Sequence, residues 1–109
     1  MTATRPPYHV FRALADPTRC AIVELLRADE LPVGEIASRF HVSRPAISRH
    51  LRVLKRARLV RERRDGRRRL CVLDPQPLRR VDDWLSAYRT EWRGRLTRLR
   101  RHVESSADA

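Results

Sequence analysis

The chain has 109 residues and a formal net charge of +12, the length of one domain with a small core. It has no run of about 18 apolar residues and no secretory pattern, so a soluble, cytoplasmic protein with no membrane partner is expected. Only three glycines occur, and neither a Gly-rich phosphate loop nor a Ser-His-Asp grouping can be found, which argues against an enzyme. The charge is local: residues 41–73 hold twelve Lys/Arg against two acids, Glu62 and Asp65, while residues 1–40 hold five against five. A concentrated cationic surface captures polyanions.

Residues 1–7, with Pro6-Pro7, read as a flexible arm. A short helix is expected over Tyr8 to Leu14, with Val10, Phe11 and Leu14 inward. Asp16-Pro17 starts a second helix, because Asp caps well and Pro is tolerated at the first helical position. It should run to about Ala28 and bury Ile22, Leu25 and Leu26. A third helix spans about Val33 to Arg39, with Ile36, Ala37 and Phe40 inward.

Ser43 can cap a fourth helix from Arg44 to about Ala57, whose stripe is Ile47, Leu51 and Leu54. Ala37 suits a close helix approach, Val42 and Ile47 would seal the turn, and His41 stands where a positive φ is common. Leu59 to Arg64, Asp65-Gly66 and Arg67 to Leu73 read as a β-hairpin. Asp74-Pro75 then opens a last helix over about 75–103, with Leu78, Val81, Leu85, Tyr88, Trp92, Leu96, Leu99 and Val103 at 3,4 spacing. Residues 104–109 read as a disordered tail. The fold class is mainly α with a small β-hairpin (α+β): a winged helix-turn-helix of about five helices plus a wing, occupying residues 8–103.

Double-stranded DNA is the partner this pattern implies. A recognition helix meets base edges mainly with its N-terminal residues. Ser43, Arg44, Pro45, Ala46, Ser48, Arg49 and Arg52 are therefore candidate DNA contacts on the fourth helix, with Arg44 or Arg49 suited to a guanine. His50 is expected to pack half-buried. The hairpin offers Arg61, Arg63, Arg64, Arg67, Arg68 and Arg69, of which Arg64, Arg67 and Arg68 are the leading contacts and Arg67 the minor-groove candidate.

The last helix is long for one small domain to cover. Trp84, Tyr88 and Trp92 form an aromatic ridge with no obvious place in a monomer. A homodimer through the first and last helices is expected, using Phe11, Leu14, Leu78, Val81, Trp84, Leu85, Tyr88, Trp92 and Leu96.

The chain resembles the ArsR-type winged helix-turn-helix repressors over about residues 8–103. The resemblance is carried by Phe11 to Arg19, Ala21 to Leu26, Val42 to Leu54, and the hairpin from Leu59-Val60 to Asp65-Gly66-Arg67. Trp84, Leu85, Tyr88, Arg89 and Trp92 resemble a subgroup with a long aromatic last helix. The resemblance implies a homodimer, a palindromic operator and repression. It does not extend to metal chemistry. Metal-sensing members carry Cys-x-Cys before the turn, or Asp-x-His and His-x-x-Glu on the last helix. Here Val33 to Phe40 has neither Cys nor His, Asp82 is followed two residues on by Trp84, and His102 three residues on by Ser105. No metal site and no cofactor are expected, and the small-molecule effector stays open. Cys20 and Cys71 lack metal spacing, and Cys20 reads as a small core residue. The alternatives are a thiol- or metal-responsive repressor of the same fold, or a sequence-tolerant nucleic-acid-coating protein.

Overall fold

The computed structural model describes residues 5–107. In chain order it contains α1 (Tyr8–Leu14), α2 (Pro17–Ala28), α3 (Val33–Ser38), α4 (Arg44–Arg56), β1 (Val60–Asp65), β2 (Arg68–Leu73) and α5 (Gln76–Ala107). Among the described residues, five helices and one antiparallel hairpin make a winged helix-turn-helix. Residues 1–4 of the expected arm and 108–109 of the expected tail lie outside the described residues.

The helix starts follow from side-chain chemistry. Asp16 accepts the backbone N–H of Arg19 at 3.0 Å, with Pro17 opening α2. Ser43 accepts the backbone N–H of Ala46 at 3.2 Å, and the backbone N–H of Gln76 bonds Asp74 at 3.0 Å ahead of α5. Each cap satisfies a donor that the first helical turn leaves free.

One face of each of the first four helices closes the core. Val10, Ile22, Leu26, Ile36, Ile47, Leu51 and Leu54 are buried together, with Leu59, Val60 and Cys71 from the hairpin side. In α2 the third buried residue is Val23, while Leu25 is half-buried. Two expectations about the turn between α3 and α4 are corrected. Val42 is exposed, and it is half-buried Phe40, with Ile47, that packs on the core there. His41 has no positive φ, because the N–H groups of Arg39 and Phe40 close the end of α3 onto Ile36 and Ala37.

The left-handed residue lies instead at Arg58, with φ 62°. Past α4 the Arg58 N–H bonds the Lys55 carbonyl and the Leu59 N–H bonds the Leu54 carbonyl, both at 3.0 Å. This double closure needs a left-handed residue at its centre, usually Gly. Leu54 and Leu59, both fully buried, meet across it.

The hairpin turns one residue later than expected. Asp65 pairs with Arg68, so the two turn residues are Gly66 and Arg67, and Gly66 has φ 64°. A positive φ at the first turn position is the type II′ pattern, which matches the right-handed twist of the strands and needs no positive φ at Arg67. β2 buries Leu70, Cys71 and Val72 in succession, not alternately. On its far edge Cys71 exchanges backbone hydrogen bonds with Leu31, at 2.7 and 3.2 Å, an isolated bridge that pairs the strand at that residue.

α5 is continuous through Gly94 and ends at Ala107, beyond the expected Val103. Its last turns carry an Arg100–Glu104 pair at 3.2 Å, one helical turn apart. The 32 residues span about 48 Å. The radius of gyration is 19.9 Å, against about 13 Å for a compact domain of this length, because the outer part of α5 projects from the body. No helix among the described residues is long and apolar enough to cross a membrane.

Candidate nucleic-acid interface

Burying Ile47, Leu51 and Leu54 fixes which side of α4 meets solvent. At 100° per residue, Pro45, Arg49 and Arg52 lie opposite that stripe, and all three are exposed. Ser48 and Ala46 flank them half-buried, and Ser43 sits at the cap. Arg44 is exposed, but its guanidinium lies over Gly34 of α3, where a Cβ would meet it at 3.8 Å. Arg49 and Arg52 are thus the arginines centred on the open face.

His50 is half-buried, as expected, but within a polar cluster. Its Nδ1 is 3.4 Å from Arg19 Nη1 and 3.8 Å from Asp16 Oδ2. The Arg19 Nε–H donates to the Ala13 carbonyl at 2.6 Å, and its Nη2 reaches the Arg12 carbonyl at 3.3 Å. One guanidinium thereby joins the end of α1, the start of α2 and the middle of α4. The Arg19 backbone N–H, aided by the charges of His50 and Arg19, holds the Asp16 carboxyl below its ordinary range.

The wing arginines divide into two sets. Arg63 bonds Glu30, with Nε to Oε2 at 2.8 Å, and Arg68 bonds Glu35 at 3.3 Å. Lys55 pairs with Glu62 at the base of β1 and, by that hydrogen bond first, lowers the Glu62 pKa. These exposed pairs stabilise by about 0–1 kcal/mol each, and they hold the wing against α3, its preceding loop and α4. Arg61, Arg64, Arg67 and Arg69 have no carboxylate partner within salt-bridge distance among the described residues. Arg64 and Arg69 are register partners on opposing strands. Arg69 was not among the leading candidates; only the strand register places it beside Arg64.

The residues expected at a dimer interface separate along α5. Leu14, Leu78 and Val81 are half-buried against the chain's own core. Phe11 packs edge-on against Trp84, with ring centroids 5.2 Å apart, and Trp84 meets Tyr88 at 5.0 Å. Beyond this, Leu85, Trp92, Leu96, Leu99 and Val103 are exposed, Trp92 by 61%. Cys20 is exposed and not in the core, a correction. It lies two residues before Ile22, on the opposite side of α2, and its Sγ–H reaches the Leu14 carbonyl at 2.8 Å. Cys71 is buried, and burial raises its pKa. Among the described residues no three His, Cys, Asp or Glu side chains gather as a metal site requires.

A capped helix with an outward arginine face, followed by a basic two-stranded wing, defines a DNA-binding winged helix-turn-helix regulator. Residues 16–62 match the family described as bacterial regulatory protein, arsR family. The HTH-type transcriptional regulator Rv2034 of Mycobacterium tuberculosis is 44% identical over 108 residues, 99% of this chain and 98% of that protein. Transcriptional repressor SdpR of Bacillus subtilis is 36% identical over 77 residues, 71% of this chain and 86% of the repressor. A solved structure, the homodimeric winged helix-turn-helix DNA-binding domain of Mb0332 from Mycobacterium bovis, is 27% identical with a TM-score of 0.59. It aligns over 82% of this chain and 80% of that one. The chain belongs to the arsR family: it is a DNA-binding transcriptional regulator, not an enzyme.

Proposed function

We propose that the chain acts in the cytoplasm as a homodimeric repressor that reads a palindromic operator and releases it without a metal trigger. The observation that carries the DNA reading is the division of arginines. Arg49 and Arg52 occupy the open face of α4, and Arg64, Arg67 and Arg69 make no ion pair within salt-bridge distance among the described residues, while Arg63 and Arg68 are held by carboxylates. Arg49 with Ser48 reads base edges, and Arg64, Arg67 and Arg69 follow the backbone or minor groove. Ser43, Pro45, Ala46 and Arg52 line the approach, with Arg44 and Arg68 beside them.

The homodimer reading is supported by the exposed apolar stripe of α5 and by the homodimeric state of the Mb0332 domain. In this reading Phe11, Trp84, Leu85, Tyr88, Trp92 and Leu96 cover the partner, with Leu14, Leu78 and Val81 setting the angle of α5. Two copies related by a two-fold axis match two operator half-sites. Repression is the activity named for SdpR. Metal independence is read from the sequence, where residues 33–40 hold neither Cys nor His, Asp82 is followed two residues on by Trp84, and His102 three residues on by Ser105.

The test is a footprint over the region upstream of the gene. It is followed by binding isotherms on the protected sequence, random duplex and RNA at one salt concentration. Tight binding confined to a palindromic duplex is expected; equal affinity for all three sinks the proposal. Zinc, cadmium or arsenite added to the complex under mild thiol reductant should not release the DNA.

A further inference from the structure

At the end of α4 remote from its cap, α1 and α4 form a groove of about 300 Å³. His9 and Arg12 of α1 and Arg56 of α4 rim it, and Ala13, Val53 and Ala57 line it with apolar surface. A second hollow of about 210 Å³ shares His9 and Ala57 and adds Arg58, Asp74 and Arg80 among its walls. The two hollows together are walled by four arginines, one histidine and one carboxylate, of which Arg12, Arg56 and His9 belong to the first. Asp74 accepts the backbone N–H of Gln76. None of the four arginines has a carboxylate within salt-bridge distance among the described residues. With no carboxylate paired to them, these guanidiniums keep their donors free for a bound anion.

Two further observations point the same way. Arg58 occupies the left-handed position after α4 with φ 62°. A Gly there would remove the strain, but also a cation from the wall of the adjoining hollow. The groove also avoids the surfaces already described. His9 and Phe11 lie 200° apart on α1, so the groove takes the flank away from Trp84. Arg56 is two turns beyond Arg49, away from the base-facing end of α4.

We propose that this groove binds a small organic carboxylate, its charge held between Arg12 and Arg56 beside His9 and its apolar body resting on Ala13, Val53 and Ala57. Guanidinium forks match a carboxylate's two oxygens. The apolar lining favours an anion with a hydrocarbon body over a bare phosphate. An occupant touches α1 and α4 together.

The probe is benzoate, titrated by calorimetry into the full-length protein without DNA and followed by amide shifts. Saturable binding is expected, with shifts confined to residues around His9, Arg12, Val53 and Ala57 and no response to benzamide. Arg12→Gln and Arg56→Gln should each weaken benzoate by about tenfold, the loss of a charge-assisted pair. Each should leave the melting temperature and duplex affinity unchanged. Absence of saturation, shifts spread over the arginine surface, or an equal response to benzamide overturns the proposal. If Arg12→Gln and Arg56→Gln weaken duplex binding and flatten its salt dependence, the groove belongs to DNA phosphates, and the carboxylate site is equally refuted.

Discussion

Arg64 and Arg69 stand directly opposite one another across the two strands of the wing. Like charges in that relationship destabilise a hairpin, and neither has the carboxylate that Arg63 and Arg68 each reach. A phosphate backbone turns this repulsion into binding energy. Arg64→Ala and Arg69→Ala should weaken operator and scrambled duplex alike and reduce the salt slope by about one each. Arg68→Ala, which first loses Glu35, should do less. Isotherms at several salt concentrations measure this, and an unchanged slope in both variants would remove the wing from the DNA.

Arg49 makes the opposite case. It lies opposite the buried stripe in the first half of α4. Arg49→Ala should cost about 1–3 kcal/mol at one base pair and lower the ratio of operator to random affinity. A ratio equal to that of the unaltered protein means that α4 is oriented differently on DNA.

Arg58 carries the one positive φ among the described non-glycine residues. Arg58→Gly should raise stability by about 1 kcal/mol, since Gly enters the left-handed region freely. Denaturant unfolding tests it. A loss of stability would show that the Arg58 side chain outweighs its backbone strain.

Asp16 links stability to pH. Its carboxyl is held low by the Arg19 backbone N–H, so ionised Asp16 stabilises the fold above its unfolded pKa of about 3.9. That contribution is lost as pH falls through the lower folded value. Asn at this position keeps the capping oxygen without titrating. The unaltered protein should therefore melt above Asp16→Asn at neutral pH, with the gap closing below about pH 4. Parallel melting curves over that range would contradict the assignment.

Trp84 and Trp92 should separate folding from association. Trp84 leans on Phe11 within the chain, whereas Trp92 is 61% exposed. Trp92→Ala should weaken the dimer by about tenfold or more in sedimentation, with little effect on unfolding of the monomer. Trp84→Ala should lower both. A Trp92→Ala protein that dimerises normally places the interface elsewhere.

The helices were legible because their signals are local: Asp16 and Ser43 cap, and Ile47, Leu51 and Leu54 repeat with the helical period. The DNA-reading class was legible for the same reason, since charge density is a property of composition along the chain. Pairing partners were not. Whether an arginine is free or held depends on residues about 33 positions away, as for Arg63 with Glu30 and Arg68 with Glu35. The left-handed position moved from His41 to Arg58 because hydrogen-bond closure after α4, not residue preference, selects it. Cys20 was misplaced because a small apolar residue on a helix fits either face, and the packing of Ile22, Val23 and Leu26 rotates it outward. Local hydrogen bonding and periodicity set the elements; long-range packing chose which charges remain exposed to a ligand.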